Sequence, residues 1–266
     1  MERLVIDLFR LCIWLALLMA VFVPLERACA LRRQKVFRKA FSTDLAYYFL
    51  SGILPNLLLV VPLTAIAGAV HHFVPSQLYS SVAAMPFWMR LPAAMVVGEV
   101  GAYWGHRWSH EIPLLWRFHA IHHSAEEIDW LVNVRAHPVD LIFTRLCGFV
   151  PMYVLGLAQP MGNRLDLVPI LVSLIGTMWG FFIHANLNWR FGWLEWLISS
   201  PAFHHWHHTN DGPDRVNKNY AAMLPWVDKC FGTFYLPRRE WPVKYGIDTP
   251  MAATLAGQLL QPLVPR

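Results

Sequence analysis

The sequence predicts an all-α protein, a bundle of membrane helices that carries a histidine-rich helical cap. Two observations predict this fold class. Hydrophobic residues make up 56% of the 266 residues and charged residues only 15%, and the mean hydropathy of +0.38 exceeds that of ordinary soluble domains. In addition, 11 of the 13 histidines lie between positions 106 and 208. Their dense, helix-spaced clusters indicate a site outside the apolar segments.

Five apolar runs predict the membrane helices, at roughly 11–23, 45–89, 86–105, 138–157 and 167–183. The first predicts a retained helix and not a cleaved signal peptide, because the small-residue sequence ACA at 28–30 lies beyond an intervening PLER. The second fits one spanning helix with a short loop, or a re-entrant pair, with kinks at Pro55 and Pro62. The last two predict a helical hairpin joined by AQPMGNRLD at 158–166.

Charge predicts the orientation in the membrane. The loop at 26–40 carries most of the excess positive charge, as Arg27, Arg32, Arg33, Lys35, Arg38 and Lys39. Such a loop between apolar runs is typical of the cytoplasmic side and not of a nucleic-acid partner. The loop at 71–85 has no Lys or Arg and is expected outside. Following the runs onward predicts that the histidine clusters lie on the cytoplasmic side.

Three histidine clusters predict a metal site. They are HRWSH with His106 and His110, HAIHH with His119, His122 and His123, and HHWHH with His204, His205, His207 and His208. Spacings of three and four place side chains on one helix face. Neutral imidazole is the commonest ligand for first-row transition metals, so the clusters suffice for two ions. The four cysteines are scattered without a CxxC pair, which speaks against a thiolate site.

Several polar residues are expected to support the metal ligands. Glu126 and Glu127 follow the second cluster by three and four residues and are predicted to accept imidazole N–H groups. Glu99 is costly in lipid and shares a helical face with Tyr103 and His106, so it is expected to face the site.

Other histidines have simpler interpretations. His137 precedes Pro138 at a predicted helix start, where capping or outer support of the site is as reasonable as metal binding. His71 and His72 are expected to be structural.

The third cluster allows two registers. On a helix, His204 and His208 share a face either with His207 or with His205. The second cluster has only the HxxHH pattern, with Ala120 where the rival ligand would stand. This repetition favours His207 as a ligand and predicts an outer or structural role for His205.

The order HxxxH, HxxHH, HxxHH resembles the fatty acid hydroxylase and sterol desaturase superfamily of integral-membrane di-iron oxygenases. The resemblance covers about 100–240 and rests also on YWGHRWSHEIPLLWRFHAIHHS and FGTFY. It implies a dinuclear iron centre that activates O₂, in a catalytic domain at 91–245 between N-terminal membrane helices at 1–90 and a tail at 246–266. The implied iron ligands are His106, His110, His119, His122, His123, His204, His207 and His208, with His184 of HANLNW. Some members have a further histidine four residues later, where this chain has Asn188.

The predicted function is therefore oxidation of a C–H bond of a lipid, such as a fatty acyl chain, sterol or alkylglycerol, by O₂. Hydroxylation and desaturation begin with the same hydrogen abstraction, and the pattern leaves both open. A separate electron donor is expected, because the sequence has no flavin, nicotinamide or haem-domain motif. The alternatives are a zinc-dependent membrane hydrolase, although HExxH is absent, and a non-catalytic metal or haem carrier.

Overall fold

Eleven α-helices make up the described part of the chain, residues 2–158 and 166–264 of a computed structural model. They are α1 Glu2–Ala28, α2 Phe41–Leu58, α3 Val60–Phe73, α4 Ser76–Ala83, α5 Phe87–Glu111, α6 Pro113–His123, α7 Pro138–Val154, α8 Leu167–His184, α9 Pro201–His207, α10 Pro225–Cys230 and α11 Leu255–Leu260. Short 3₁₀ helices cover Trp130–Val134, Gly192–Trp196 and Gln261–Leu263. The described residues contain no β-strand, only two isolated bridges. The predicted all-α fold class is confirmed.

Three helical segments are long and apolar enough to cross a membrane, namely Glu2–Ala28, Phe41–Phe73 and Leu167–His184. A fourth arises if α4 and α5, which meet at a 117° bend, form one broken span. Helix α1 leaves Leu17 and Val21 more than half exposed, a surface that suits lipid. Helix α7 has only 17 residues and is not among these spans, so the predicted hairpin supplies one span from its second helix.

The predicted helices differ from the observed ones in detail. The second run breaks at Leu59, between Pro55 and Pro62, because proline removes a backbone donor and crowds the preceding turn. Helix α5 continues past the predicted end at 105 to Glu111. The HRWSH motif therefore lies within the same helix as the apolar run that precedes it. The predicted tight connection at 158–166 falls almost wholly on 159–165, outside the described residues.

Small residues bring α5 and α7 together. A Cβ atom on Gly101 would lie 2.1 Å from the carbonyl oxygen of Cys147, and one on Gly148 would lie 3.3 Å from the carbonyl oxygen of Gly98. Glycine at these positions allows the two backbones the close approach that is common between membrane helices. The contact fixes α7 against the helix that carries the first histidine cluster.

The basic loop docks against the segment that follows α8. The Leu31 N–H donates to the carbonyl oxygen of Asn186 over 3.1 Å, and the Asn188 N–H donates to that of Cys29 over 3.0 Å. One oxygen of Glu26, near the end of α1, accepts N–H groups from Trp130 and Asn186. The basic loop and the histidine cap therefore lie on the same side of the bundle.

A buried ion network ties this loop to the cap. The Arg38 guanidinium binds both oxygens of Asp129 over 2.7 Å and one oxygen of Asp44 over 2.6 Å. Arg135 donates to the other oxygen of Asp44 over 2.5 Å. Arg38, one of the cations of the basic loop, is only 5% exposed, since two carboxylates compensate its burial.

Candidate metal centre

Four helices deliver their imidazoles to one region. His106 and His110 stand one turn apart near the end of α5. Pro113 then begins α6 at once, where proline suits the first helical turn, and the last turns of α6 carry the second cluster. His184 is the last residue of α8. Helix α9 begins after Ser200, whose hydroxyl accepts from the Phe203 N–H over 3.3 Å and caps the helix.

The imidazoles form two adjacent groups within the described residues. The first group is His106, His110, His119, His123 and His207, and the second is His122, His184, His204 and His208. Within each group the potential ligand atoms lie within 4.8 Å of one another. The groups touch, since the rings of His123 and His208 stack with their centroids 4.4 Å apart. This layout suits two neighbouring metal ions.

Hydrogen bonds fix the tautomers of these rings. In the first group, the Nδ1 atoms of His106 and His207 lie 2.7 and 2.8 Å from the carbonyl oxygens of Tyr220 and Lys218. In the second, those of His122 and His184 lie 3.1 and 2.7 Å from the carbonyl oxygens of Arg135 and Gly180. Because a carbonyl only accepts, Nδ1 carries the proton in each ring and Nε2 keeps a lone pair.

These lone pairs face one another. The Nε2 atoms of His122 and His184 are 3.2 Å apart. That of His106 lies 3.1 Å from Nε2 of His119, whose Nδ1 donates to the Asp140 carboxylate. In the described part of the chain, the buried Nε2 atoms of His110, His123 and His207 have no hydrogen-bond partner. Facing lone pairs and buried unpartnered ring nitrogens are unfavourable unless a cation lies among them. The residues therefore fit metal ions.

Burial keeps the rings in the form that binds metal. It lowers the pKa of His119, His122 and His123 well below the ordinary value of 6.5, and the neighbouring imidazoles lower it further. The pKa values of His207 and His208 are lowered for the same two reasons. Only the neutral ring has a free lone pair, so these rings are ready to bind metal at neutral pH.

Asp140 supports the first group, although it is not among the residues predicted from the sequence. Its Oδ2 accepts from Nδ1 of His119 over 2.9 Å, and its Oδ1 accepts from the Ser109 hydroxyl over 3.2 Å. A carboxylate in this position orients the ring and raises the basicity of the opposite nitrogen. An acidic residue in the first turn of the apolar run at 138–157 was the available signal. The sequence contains no comparable signal for the backbone carbonyls of Tyr220 and Lys218.

The expectation for Glu126 and Glu127 is wrong. Both residues are exposed, and in the described ranges neither has a hydrogen bond with an imidazole. The reason is that α6 ends at His123 and Ser124 caps it, so the helical spacing of three and four does not continue to these glutamates. Asp140, from the next helix, provides the carboxylate instead.

Glu99, which was expected to face the site, faces protein and touches the site only indirectly. Its Oε1 accepts from the N–H groups of Met223 and Leu224 over 2.5 and 3.1 Å. It thus holds the segment whose Tyr220 carbonyl binds His106. The Glu99 carboxylate therefore accepts hydrogen bonds from backbone N–H groups and not from an imidazole.

His205 lies outside both groups. Its Nδ1 is 2.7 Å from the Tyr245 hydroxyl, and its Nε2 is 3.1 Å from the carbonyl oxygen of Ala185. His204, His207 and His208 point to the groups, which is the register that the repeated HxxHH pattern favours. Metal binding by these three residues stays a prediction.

The remaining candidates also lie apart from the groups. Nδ1 of His137 accepts from the Val139 N–H over 3.1 Å and caps α7, and its Nε2 lies 3.2 Å from the carbonyl oxygen of Leu259. Asn188 is exposed, and its N–H donates to Cys29. His71 and His72 are exposed at the end of α3.

The model of the fatty acid hydroxylase family matches residues 91–233, more than half of the chain. Ornithine lipid hydroxylase OlsE of Rhizobium tropici is 33% identical over 192 residues, 72% of this chain and 53% of that protein. Alkylglycerol monooxygenase of Xenopus tropicalis is 31% identical over 153 residues, 58% of this chain and 32% of that protein. Delta(7)-sterol 5(6)-desaturase ERG3B of Gibberella zeae is 29% identical over 154 residues, 55% of this chain and 42% of that protein.

The chain thus spans about half the length of these relatives or less. No solved structure matches it significantly. The family match begins inside α5 and extends beyond the end of α10, and so includes both groups of imidazoles. The chain belongs to the fatty acid hydroxylase family.

Proposed function

We propose that the protein is a membrane-bound di-iron oxygenase that uses O₂ to hydroxylate or desaturate a C–H bond of a lipid, such as a fatty acyl chain, a sterol or an alkylglycerol. The observation that carries the proposal is the pair of adjacent imidazole groups, five and four residues, at the ends of apolar helices. Family membership supports it, as do the names of the relatives, which are lipid hydroxylases, monooxygenases and a sterol desaturase.

The nine imidazoles of the two groups would hold the two iron ions, which when bound supply activation of O₂ for attack on an unactivated C–H bond. The rest of the site orients these ligands. Asp140 and the Tyr220 carbonyl hold His119 and His106 by their Nδ1 atoms. The second group is held by main-chain carbonyls of two separate segments. Such outer hydrogen bonds fix the direction of each lone pair before metal binds.

The site also excludes water, which would otherwise quench a strong oxidant. Seven of the nine imidazoles are buried, and only His106 and His110 are partly exposed. Both of these belong to the first group and to α5, which continues from the apolar region. This partial opening supports entry of the lipid chain beside the first group.

Two further parts of the proposal concern partners and orientation. A separate electron donor supplies the reducing equivalents, in keeping with the sequence, which has no motif for a redox cofactor domain. The histidine cap lies on the cytoplasmic side. The docking of the basic loop on the cap supports this orientation, since short loops rich in Lys and Arg stay in the cytoplasm.

The test uses the full chain, purified without oxygen and loaded with iron(II). We expect about two iron atoms per chain, O₂ consumption that depends on lipid and an added electron donor, and ¹⁸O from ¹⁸O₂ in a hydroxylated lipid or a new double bond. Background iron with stoichiometric zinc that supports hydrolysis would establish the zinc hydrolase instead. Bound metal without O₂ consumption on any lipid fraction would indicate a carrier, and sustained turnover with NAD(P)H alone would refute the separate donor.

A further inference from the structure

A cavity of about 270 Å³ opens where α1 meets the basic loop and the cap. Four cationic side chains line it, namely Arg27, Arg32, Arg33 and Lys35, together with the carboxylates of Glu26 and Asp129. None of these residues belongs to the two imidazole groups. The cavity is therefore separate from the candidate metal centre.

The carboxylates of this cavity are already engaged. Both oxygens of Asp129 accept from Arg38, which itself does not line the cavity. One oxygen of Glu26 accepts two backbone N–H groups over 2.9 Å. Within residues 2–158 and 166–264, by contrast, Arg27, Arg33 and Lys35 make no ion pair. The cavity thus has an excess of positive charge that protein carboxylates do not neutralise.

Arg32 is held in place without neutralisation. Its guanidinium donates to the carbonyl oxygen of Pro242 and lies over the ring of Tyr245, 4.3 Å from the centroid. Its backbone N–H donates to the Asn186 side chain over 3.0 Å. The carbonyl and the aromatic face orient the guanidinium but do not neutralise its positive charge. Arg32 is therefore a preorganised hydrogen-bond donor at the cavity wall.

Apolar side chains also line the cavity, among them Val23, Val36 and Phe41. The cavity lies at the expected membrane surface, since Arg27 stands in the last turn of α1, a candidate membrane span. Phe37, 70% exposed, packs edge-to-face on Phe41 with the ring centroids 5.0 Å apart. A lining with both cations and apolar side chains matches a lipid, whose headgroup and first acyl carbons adjoin, better than it matches a free phosphate ion.

We propose that this cavity binds an anionic phosphodiester headgroup of a membrane phospholipid, through Arg27, Arg32, Arg33 and Lys35. Binding there fastens α1 and the basic loop to the cap at the membrane surface. The site is independent of iron and of the proposed oxygenase activity, so it is tested without either.

The experiment measures lipid binding to the full chain in uncharged detergent, by native mass spectrometry and by titration. The probes are dioctanoyl phosphatidylglycerol, dioctanoyl phosphatidylcholine and inorganic phosphate. The pocket variant is Arg33→Gln with Lys35→Gln, two exposed positions that line the cavity. The matched control is Lys39→Gln with Arg238→Gln, which removes the same charge at exposed positions away from it. Thermal unfolding verifies that both variants are folded.

We expect one phosphatidylglycerol per chain, bound about 30-fold more weakly by the pocket variant, since each cation near an anionic headgroup contributes about fivefold. The control variant should bind like the unmodified chain, and phosphatidylcholine should bind at least tenfold more weakly. Equal binding by the pocket and control variants overturns the site. Inorganic phosphate that binds as tightly as phosphatidylglycerol overturns the lipid as ligand and assigns the cavity to a free anion.

Discussion

His122 and His184 face each other with their Nε2 atoms 3.2 Å apart, while Nδ1 of each ring is bound to a backbone carbonyl. Neither Nε2 then has a proton to donate, so the contact places two lone pairs together. Such an arrangement is stable when both nitrogens share a cation. The two residues lie 62 positions apart in the chain, and the packing of α8 against the cap brings them together.

The third cluster supplies the sharpest test of the ligand set. His204→Ala, His207→Ala and His208→Ala should each lose bound iron and reduce activity to background, because each removes a lone pair directed into a group. His205→Ala should keep iron and a measurable fraction of activity, since its ring bonds Tyr245 and Ala185 instead. Iron per chain by elemental analysis and lipid turnover are the measurements, with protein accumulation as the control. Retained iron in His207→Ala together with its loss in His205→Ala would invert the register.

Asp140→Asn should weaken metal affinity about 10- to 100-fold, because the amide no longer provides the negative charge that binds Nδ1 of His119. Affinity is measured by competition with a metal chelator. Glu126→Gln and Glu127→Gln are matched controls that remove the same charge from exposed positions, and they should leave affinity unchanged. An equal loss in all three variants would mean that net charge alone is responsible.

Gly101→Ala should destabilise the fold by about 1–3 kcal/mol, the usual cost of overpacking. The added methyl would lie 2.1 Å from the Cys147 carbonyl, so α5 and α7 must separate. Gly176→Ala in α8 is the control, because nothing lies within 4 Å of its added Cβ. The thermal unfolding midpoint in detergent distinguishes them. A midpoint that is unchanged for Gly101→Ala would contradict the close contact of the two helices.

Arg38→Gln should lower the free energy of unfolding by about 3–5 kcal/mol, because Asp44 and Asp129 then stay buried without the cation that both of them contact. Its neighbour Lys39 is exposed, and Lys39→Gln should change stability little. Both variants remove one positive charge from the basic loop, so a comparison of unfolding midpoints separates the buried network from the loop's general charge. Similar midpoints for the two variants would show that Arg38 is not part of the core.

Orientation in the membrane is tested with single cysteines in a chain whose four native cysteines have been replaced. An impermeant thiol reagent on intact cells should label Ser76→Cys and not Asn210→Cys. The positive-inside rule predicts this, because Asn210 lies in the cap against which the basic loop docks. After permeabilisation both sites should react, which verifies that each is accessible. Labelling of Asn210→Cys alone on intact cells would reverse the orientation.

Local sequence patterns predicted much of this protein's structure. Apolar composition predicted the helical membrane fold, and spacings of three and four predicted which histidines share a face. The nine histidines that the resemblance implied as ligands are the nine that form the two groups in the described residues. Their binding of iron stays a prediction. Helical spacing predicted correctly which histidines of one helix share a face. It failed for Glu126 and Glu127, because α6 ends at His123, before these residues.

Sequence by itself determined what depends on neighbours a few residues apart, which are the apolar runs, the histidine spacing and the basic loop. Tertiary structure decided the division of the imidazoles into groups of five and four, the choice of Asp140 as partner of His119, and the burial of Arg38. Each of these depends on contacts between distant segments. A helical period fixes directions within one helix, but the energy of a buried charge or lone pair depends on which atoms other helices place beside it.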